Sequence, residues 1–217
     1  MVASAYHLSP VPTVHAVTDD RILTRPGFVA RAWTIMHVLG KAGAVHLRTS
    51  TLSAARLHEI AVALAPLQDT TGCWLAVNDR VDIAAAAGAR AVQLTSRSIG
   101  VADARIAAPQ LAVGASVHAL NEALAAAEEG AMWLVAGNVF ETPSHPGAPG
   151  RGMALLEEIS HATKLPCIAI GGIKPEHARI LRAAGVHGVA AIRGIWDADD
   201  AERAATEYLS AYDGSGM

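Results

Sequence analysis

PCIAIGGIKPEHARILRAAGVHGVAAIRG, residues 166–194, contains a strand, a helix and a second strand in one continuous stretch. Residues 166–170 and 188–192 are short apolar runs of β character. Between them, over 176–184, apolar residues recur at spacings of three and four, the period of a helix with one buried face. Gly171-Gly172 closes the first run and Arg193-Gly194 closes the second, so each strand hands over to a loop able to bring backbone close to a ligand.

The same alternation extends outward along the chain. Apolar runs at 14–18, 44–48, 73–77, 91–94, 112–117 and 132–137 precede helical stretches such as 53–65, 119–129 and 152–161. Between Val14 and Tyr208 this makes eight β-then-α units of about 24 residues each, room for a strand, a helix of about three turns and two short connections. Eight such units predict an α/β fold, a single (β/α)8 TIM barrel. An open doubly wound sheet shares the alternation, but no Gly-x-Gly-x-x-Gly turn follows the first run. No linker or composition break interrupts the span. Residues 14–210 are therefore read as one barrel, with 1–13 a flexible lead-in and 211–217 a flexible tail.

Composition narrows the function. The 217 residues carry a formal charge of −3 and no Lys/Arg run, which argues against nucleic acid and against anionic membrane surfaces as partners. Mean hydropathy is +0.29, yet no apolar stretch approaches a bilayer span, and Met1 to Pro12 lacks the pattern of a signal peptide. Hydrophobic residues make up 52% and aromatics 4%, predicting a core of Ala, Val, Leu and Ile. Cys73 and Cys167 each head an apolar run, as buried free thiols in a reducing cytoplasm would. Assembly into a homo-oligomer is left open.

In a barrel of this kind, chemistry sits where strands end. The strand ends deliver Thr18-Asp19-Asp20, Arg48, Asn78-Asp79-Arg80, Gln93, Ser116 and His118 to one rim. The connection 137–152 is too long for a plain turn and reads as a lid. Gly171-Gly172 and Arg193-Gly194, after strands 7 and 8, suggest a backbone cradle for a phosphate, although Gly171-Gly172 alone also suits a tight turn.

HAVTDD (15–20), HLR (46–48), NDRVDIA (78–84), AVQL (91–94), GASVHALNEA (114–123), GNVFET (137–142), GRGMALL (150–156) and PCIAIGGI (166–173) resemble the thiamin phosphate synthase superfamily. The resemblance runs from Val14 to the last helix and looks closest to its thiazole tautomerase branch, the TenI type. A synthase of this kind joins a pyrimidine diphosphate to a thiazole phosphate. The resemblance implies that it needs an Arg-x-Lys after strand 2, two carboxylates for magnesium, and a Thr-x-Thr-Lys in the long loop. Here Arg48 is followed by Thr49-Ser50, Ser98 falls where the second Asp would, and Thr142-Pro143-Ser144-His145 replaces the loop motif. One carboxylate is a poor site for a hard divalent cation, so no metal and no cofactor are expected.

On that resemblance the expected activity is an isomerase: a thiazole tautomerase that moves a proton on carboxythiazole phosphate, a small phosphorylated thiazole ligand. His118 would be its acid–base residue, with His145 second and Glu122 able to orient the ring. Arg48 is read as the fork for a substrate carboxylate, or as a salt-bridge partner of Asp79 or Asp19. Asn78, Ser116, Thr142 and Arg151 complete the expected substrate contacts, with Gly171, Gly172, Arg193 and Gly194 on the phosphate. His15 and His46 lie within strands and are read as packed or hydrogen-bonded core residues. The alternatives are a thiamin phosphate synthase, a transferase, and a phosphate-binding regulatory barrel without catalysis.

Overall fold

Every apolar run becomes a strand: β1 (Val14–Val17), β2 (Gly43–Leu47), β3 (Trp74–Asn78), β4 (Ala91–Leu94), β5 (Ala112–Val117), β6 (Trp133–Gly137), β7 (Cys167–Ile170) and β8 (Gly188–Ala191). The computed structural model describes residues 10–141, 150 and 152–213. All eight strands are parallel, each paired with the next, and β8 returns to β1 through Val14 opposite Val189. The sheet is thus a closed barrel without edges, buried on both faces, which is why its strands read as continuous apolar runs.

Among the described residues, eleven α-helices surround it: α1 (Asp20–Leu23), α2 (Phe28–Leu39), α3 (Ala54–Leu64), α4 (Leu67–Thr71), α5 (Val81–Ala87), α6 (Val101–Ala107), α7 (Leu120–Glu128), α8 (Gly152–Ala162), α9 (Ala178–Ala183), α10 (Arg193–Trp196) and α11 (Ala201–Asp213). Their inner faces, such as Ile35, Met36 and Leu39 on α2 and Leu57, Ile60 and Leu64 on α3, pack on the barrel's outer surface. Each such side chain contributes about 1.5–3 kcal/mol by leaving water. The single helix expected over 176–184 starts as a 3-10 turn, Pro175–His177, before α9, because Pro175 fixes the entry of the chain.

The barrel interior departs from the aliphatic core that composition predicts. It is filled by Ala44, Ala76, Ala91, Ala112 and Ala190 with Val17, Val135 and Ile168, around two indoles, Trp74 and Trp133. Alanines leave room that only large rings can fill, and the two indoles meet edge to face at 6.0 Å. Gly114 is required beneath them: a Cβ there would lie 2.1 Å from the Trp133 ring. These indoles plug the lower barrel and leave the upper half, at the strands' C-terminal ends, open.

Candidate active site

A cavity of about 500 Å³ opens at that upper end. It gathers Arg48, Asn78, Ser116, His118, Gly171, Gly172, Arg193 and Gly194, all expected to bind ligand, from five of the eight strand ends. Thr142, Arg151 and His145 lie outside the described residues, as does most of the 137–152 connection.

The β7 and β8 side of the mouth is made of backbone. Gly171 and Gly172 take φ of +104° and +63°, and a Cβ on Gly171 would stand 2.7 Å from that of Asn138. Only glycine satisfies both demands. Gly194 is equally constrained, because a Cβ would lie 2.2 Å from the Tyr208 hydroxyl, which donates to the Ile173 carbonyl at 2.8 Å and so ties the β7 loop to α11. Among the described residues, the amides of Gly171, Gly172, Arg193 and Gly194 donate to no protein acceptor. Four such N–H groups around one concavity favour an anion.

Across the mouth, the β2 to β5 side is made of side chains. Arg48 forms no ion pair among the described residues, with Asp79, Asp19 or any other carboxylate, and its guanidinium lines the cavity. Asp19 instead caps α1 through the Ile22 amide at 2.8 Å. Asp20 accepts from the Ser50 hydroxyl at 2.6 Å, the Ser50 amide at 3.0 Å and the Thr49 hydroxyl. Slight burial would raise the Asp20 carboxyl, but these bonds hold it well below the usual range. Both aspartates therefore fasten loops. His118 sits one residue beyond β5, its amide donating to the Glu122 carboxylate at 2.7 Å and its Nδ1 lying 3.6 Å from the same oxygen. Glu122 thus bonds the His118 backbone, and both side chains are about half exposed at the cavity edge.

A divalent cation held between two carboxylates does not fit this rim. Oδ1 of Asp79 accepts from the Thr95 amide at 2.9 Å, the Thr95 hydroxyl at 2.8 Å and the Ser98 hydroxyl. Its Oδ2 lies 3.6 Å from the Arg97 guanidinium. The carboxylate is spent on pinning the loop after β4. Among the described residues, no group of three His, Cys, Asp or Glu side chains is placed to hold a metal.

The strand-by-strand reading missed the floor. Gln93 donates to Ser116 at 3.1 Å, and His46, Asn78 and Gln93 line the cavity with one unpartnered buried atom each: Nδ1, Oδ1 and Oε1. Arg97, Asn138 and Lys174 also line it. Only the period-two placement of His46, Asn78 and Gln93 on adjacent strands hinted at a shared inward face. Cys73 and Cys167 are free and buried, their thiols pushed up to about 12 by desolvation, and play no part here.

The family model described as thiamine monophosphate synthase matches residues 14–195. A thiamine-phosphate synthase of Pyrococcus horikoshii is 35% identical over 191 residues, 88% of this chain and 90% of that protein. One of Methanoculleus marisnigri is 39% identical over 168 residues, 76% and 80% of the two chains. The solved thiamine phosphate pyrophosphorylase of Pyrococcus furiosus superposes with a TM-score of 0.82 at 33% identity, covering 94% of this chain and 97% of that one. These likenesses overturn the expected isomerase. The tautomerase reading took three substitutions in one subsite as loss of the transferase, whereas relatives named as synthases match this chain along nearly its whole length, and Arg48 and Arg97 still supply cations on that side. The proton-shuttling role of His118 falls with it.

Proposed function

The chain belongs to the thiamine monophosphate synthase family, and from that premise we propose that it is a transferase joining a pyrimidine diphosphate to a thiazole phosphate with release of inorganic diphosphate. The observation that carries this reading is a single cavity with the unpaired amides of the β7 and β8 loops on one side of its mouth and Arg48 and Arg97 on the other. The amides of Gly171, Gly172, Arg193 and Gly194 hold the single phosphate, as the loops after the seventh and eighth strands of such barrels do. Arg48 and Arg97 face the diphosphate.

The chemistry follows from that separation. The bond from the pyrimidine's methylene carbon to diphosphate oxygen breaks, the thiazole nitrogen supplies the electron pair for the new carbon–nitrogen bond, and the leaving diphosphate takes the electrons of the old one. Guanidinium groups fixed where that charge develops lower the barrier, because they need no reorganisation as the bond breaks. Anchoring the thiazole by its phosphate aims its nitrogen at the carbon and makes the encounter effectively intramolecular. Ser116, Asn78 and His118 supply the polar wall between the two ends. Among the described residues no helix is long and apolar enough to cross a membrane, and two free thiols suit a reducing cytoplasm.

Incubating the purified protein with both substrates, with and without a chelator, tests the reading. The coupled thiazolium phosphate should appear by mass spectrometry in both reactions. Its absence from both, at any pH between 6 and 9, contradicts the transferase.

A further inference from the structure

The turn that follows β1, Thr18-Asp19-Asp20-Arg21, contributes nothing to the wall of the cavity, yet its hydrogen bonds run to both sides of the mouth. Its place in the barrel explains this. β1 pairs with β2 on one side and β8 on the other, so the turn lies between the loop that carries Arg48 and the one that carries Arg193-Gly194.

Towards β2 the turn brackets Arg48. Thr18 is fully buried, and its hydroxyl donates to the His46 carbonyl at 2.9 Å while accepting from the Arg48 amide at 2.9 Å. Asp20 then takes the three residues that follow. Its carboxylate accepts from the Thr49 hydroxyl, from the Ser50 amide and hydroxyl at 3.0 and 2.6 Å, and from the Thr51 amide at 3.1 Å. Bonds to an ionised acceptor are stronger than neutral ones, and four on one carboxylate leave the backbone at Arg48 a single course.

Towards β8 the turn grips the far end of α10. Arg21 donates to both oxygens of Asp197, at 2.8 and 3.0 Å. Arg25 reaches the same carboxylate at 2.6 Å and the Trp196 carbonyl at 3.0 Å, and Arg31 donates to the Ala198 carbonyl. An isolated surface ion pair contributes little, but here two guanidinium groups share one carboxylate and three bind consecutive residues. Trp196 is fully buried, stacked on Phe28 of α2 at 5.3 Å. Because α10 is four residues long, displacing Asp197 displaces Gly194 as well.

We propose that the turn after β1 is a positioning element for both sides of the cavity: Asp20 sets Arg48, and Arg21 sets the Arg193-Gly194 amides through Asp197. Two adjacent residues of opposite charge thereby govern two different ligands. Which ligand sits on each side rests on the transferase reading, whereas the two directions of support do not.

Calorimetric titration with inorganic diphosphate and with thiazole phosphate separates the two arms. Asp20→Ala should weaken diphosphate at least about fivefold and leave thiazole phosphate within about twofold, with Asp20→Asn, which keeps one accepting oxygen, in between. Asp197→Ala should do the reverse, and Arg21→Gln should weaken thiazole phosphate by less and add nothing in the Asp197→Ala background. Equal weakening of both ligands by either variant, or no weakening, overturns the proposal. Should Asp20→Ala not fold, Thr18→Val replaces it, with Thr18→Ser, which keeps the hydroxyl, restoring diphosphate affinity. Amide hydrogen exchange in the ligand-free protein gives a second readout. Asp20→Ala should speed exchange at Ser50 and Thr51, and Asp197→Ala at Trp196 and at residue 197, each leaving the other segment at the wild-type rate. Acceleration of both segments together would mark general loosening and overturn the positioning role. Neither measurement needs turnover. A wild type that binds neither ligand would overturn the transferase and leave the exchange pattern to decide the positioning, while coupled product formed without the selective pattern would overturn the positioning alone.

Discussion

The two sides of the cavity mouth are built by different means. At β7 and β8 the ligand-facing groups are backbone amides, held open because Gly171, Gly172 and Gly194 have no space for a side chain. At β2 to β5 they are side chains that reach across strands: Asp79 to Thr95 and Ser98, Gln93 to Ser116, His15 to His46. A backbone site tolerates almost no substitution and so leaves a fixed mark in the sequence. A side-chain site can be rebuilt from other residues while its shape and charge persist, and a rim lacking the expected second carboxylate still brings Arg48 and Arg97 to the cavity.

The difference ranks the effects of mutation. Gly171→Ala should do the most damage, since the new Cβ must displace Asn138 from a backbone already at positive φ. Affinity for the thiazole phosphate should drop by at least about 100-fold, about 2.7 kcal/mol, measured by calorimetric titration, with a lower melting temperature. Wild-type affinity in that variant would break the backbone account. On the other side, Arg48→Gln should weaken inorganic diphosphate binding by about 10- to 100-fold, as loss of a charge-assisted hydrogen bond does, and leave the thiazole phosphate untouched. Equal weakening of both ligands would mean that the two ends are not separate.

Acid should loosen the floor before the rim. Between about pH 6.5 and about 4 the unfolded chain protonates His15 while the folded chain excludes that proton, so stability falls as pH falls through this window. The loss from His15 is about 3 kcal/mol, and His46 adds to it in the same direction. Urea midpoints from pH 7 to pH 4.5 should show the decline, and His15→Phe should flatten it; a flat wild-type profile would contradict burial of neutral rings. The smallest effect belongs to Asp79→Asn. It should lower the melting temperature by a few degrees through the β4 loop, and a chelator should change the turnover of neither form. A steep dependence of the wild type on magnesium would show that Asp79 binds metal.

What could be read from the sequence follows the same division. The eight strands were legible because each is buried on both faces and stands out as an apolar run, and Gly171-Gly172 and Arg193-Gly194 were legible because backbone sites demand glycine. The indoles inside the barrel were not, since a 4% aromatic content does not reveal that Trp74 and Trp133 converge. Neither was the floor. His15 and His46 are 31 residues apart, and Gln93 and Ser116 are 23 apart, so only barrel closure makes them neighbours. The activity was misread for a related reason: the substitutions at Ser50, Ser98 and His145 were taken together as the loss of one subsite, whereas a binding surface responds to the summed charge around it.

Phosphorus-31 NMR of the complete reaction tests the transferase most directly. With pyrimidine diphosphate and thiazole phosphate both present, free inorganic diphosphate should accumulate in step with the coupled phosphate product, and with either substrate alone it should not appear. Diphosphate released at the same rate without the thiazole, or no diphosphate from the complete mixture, would contradict it.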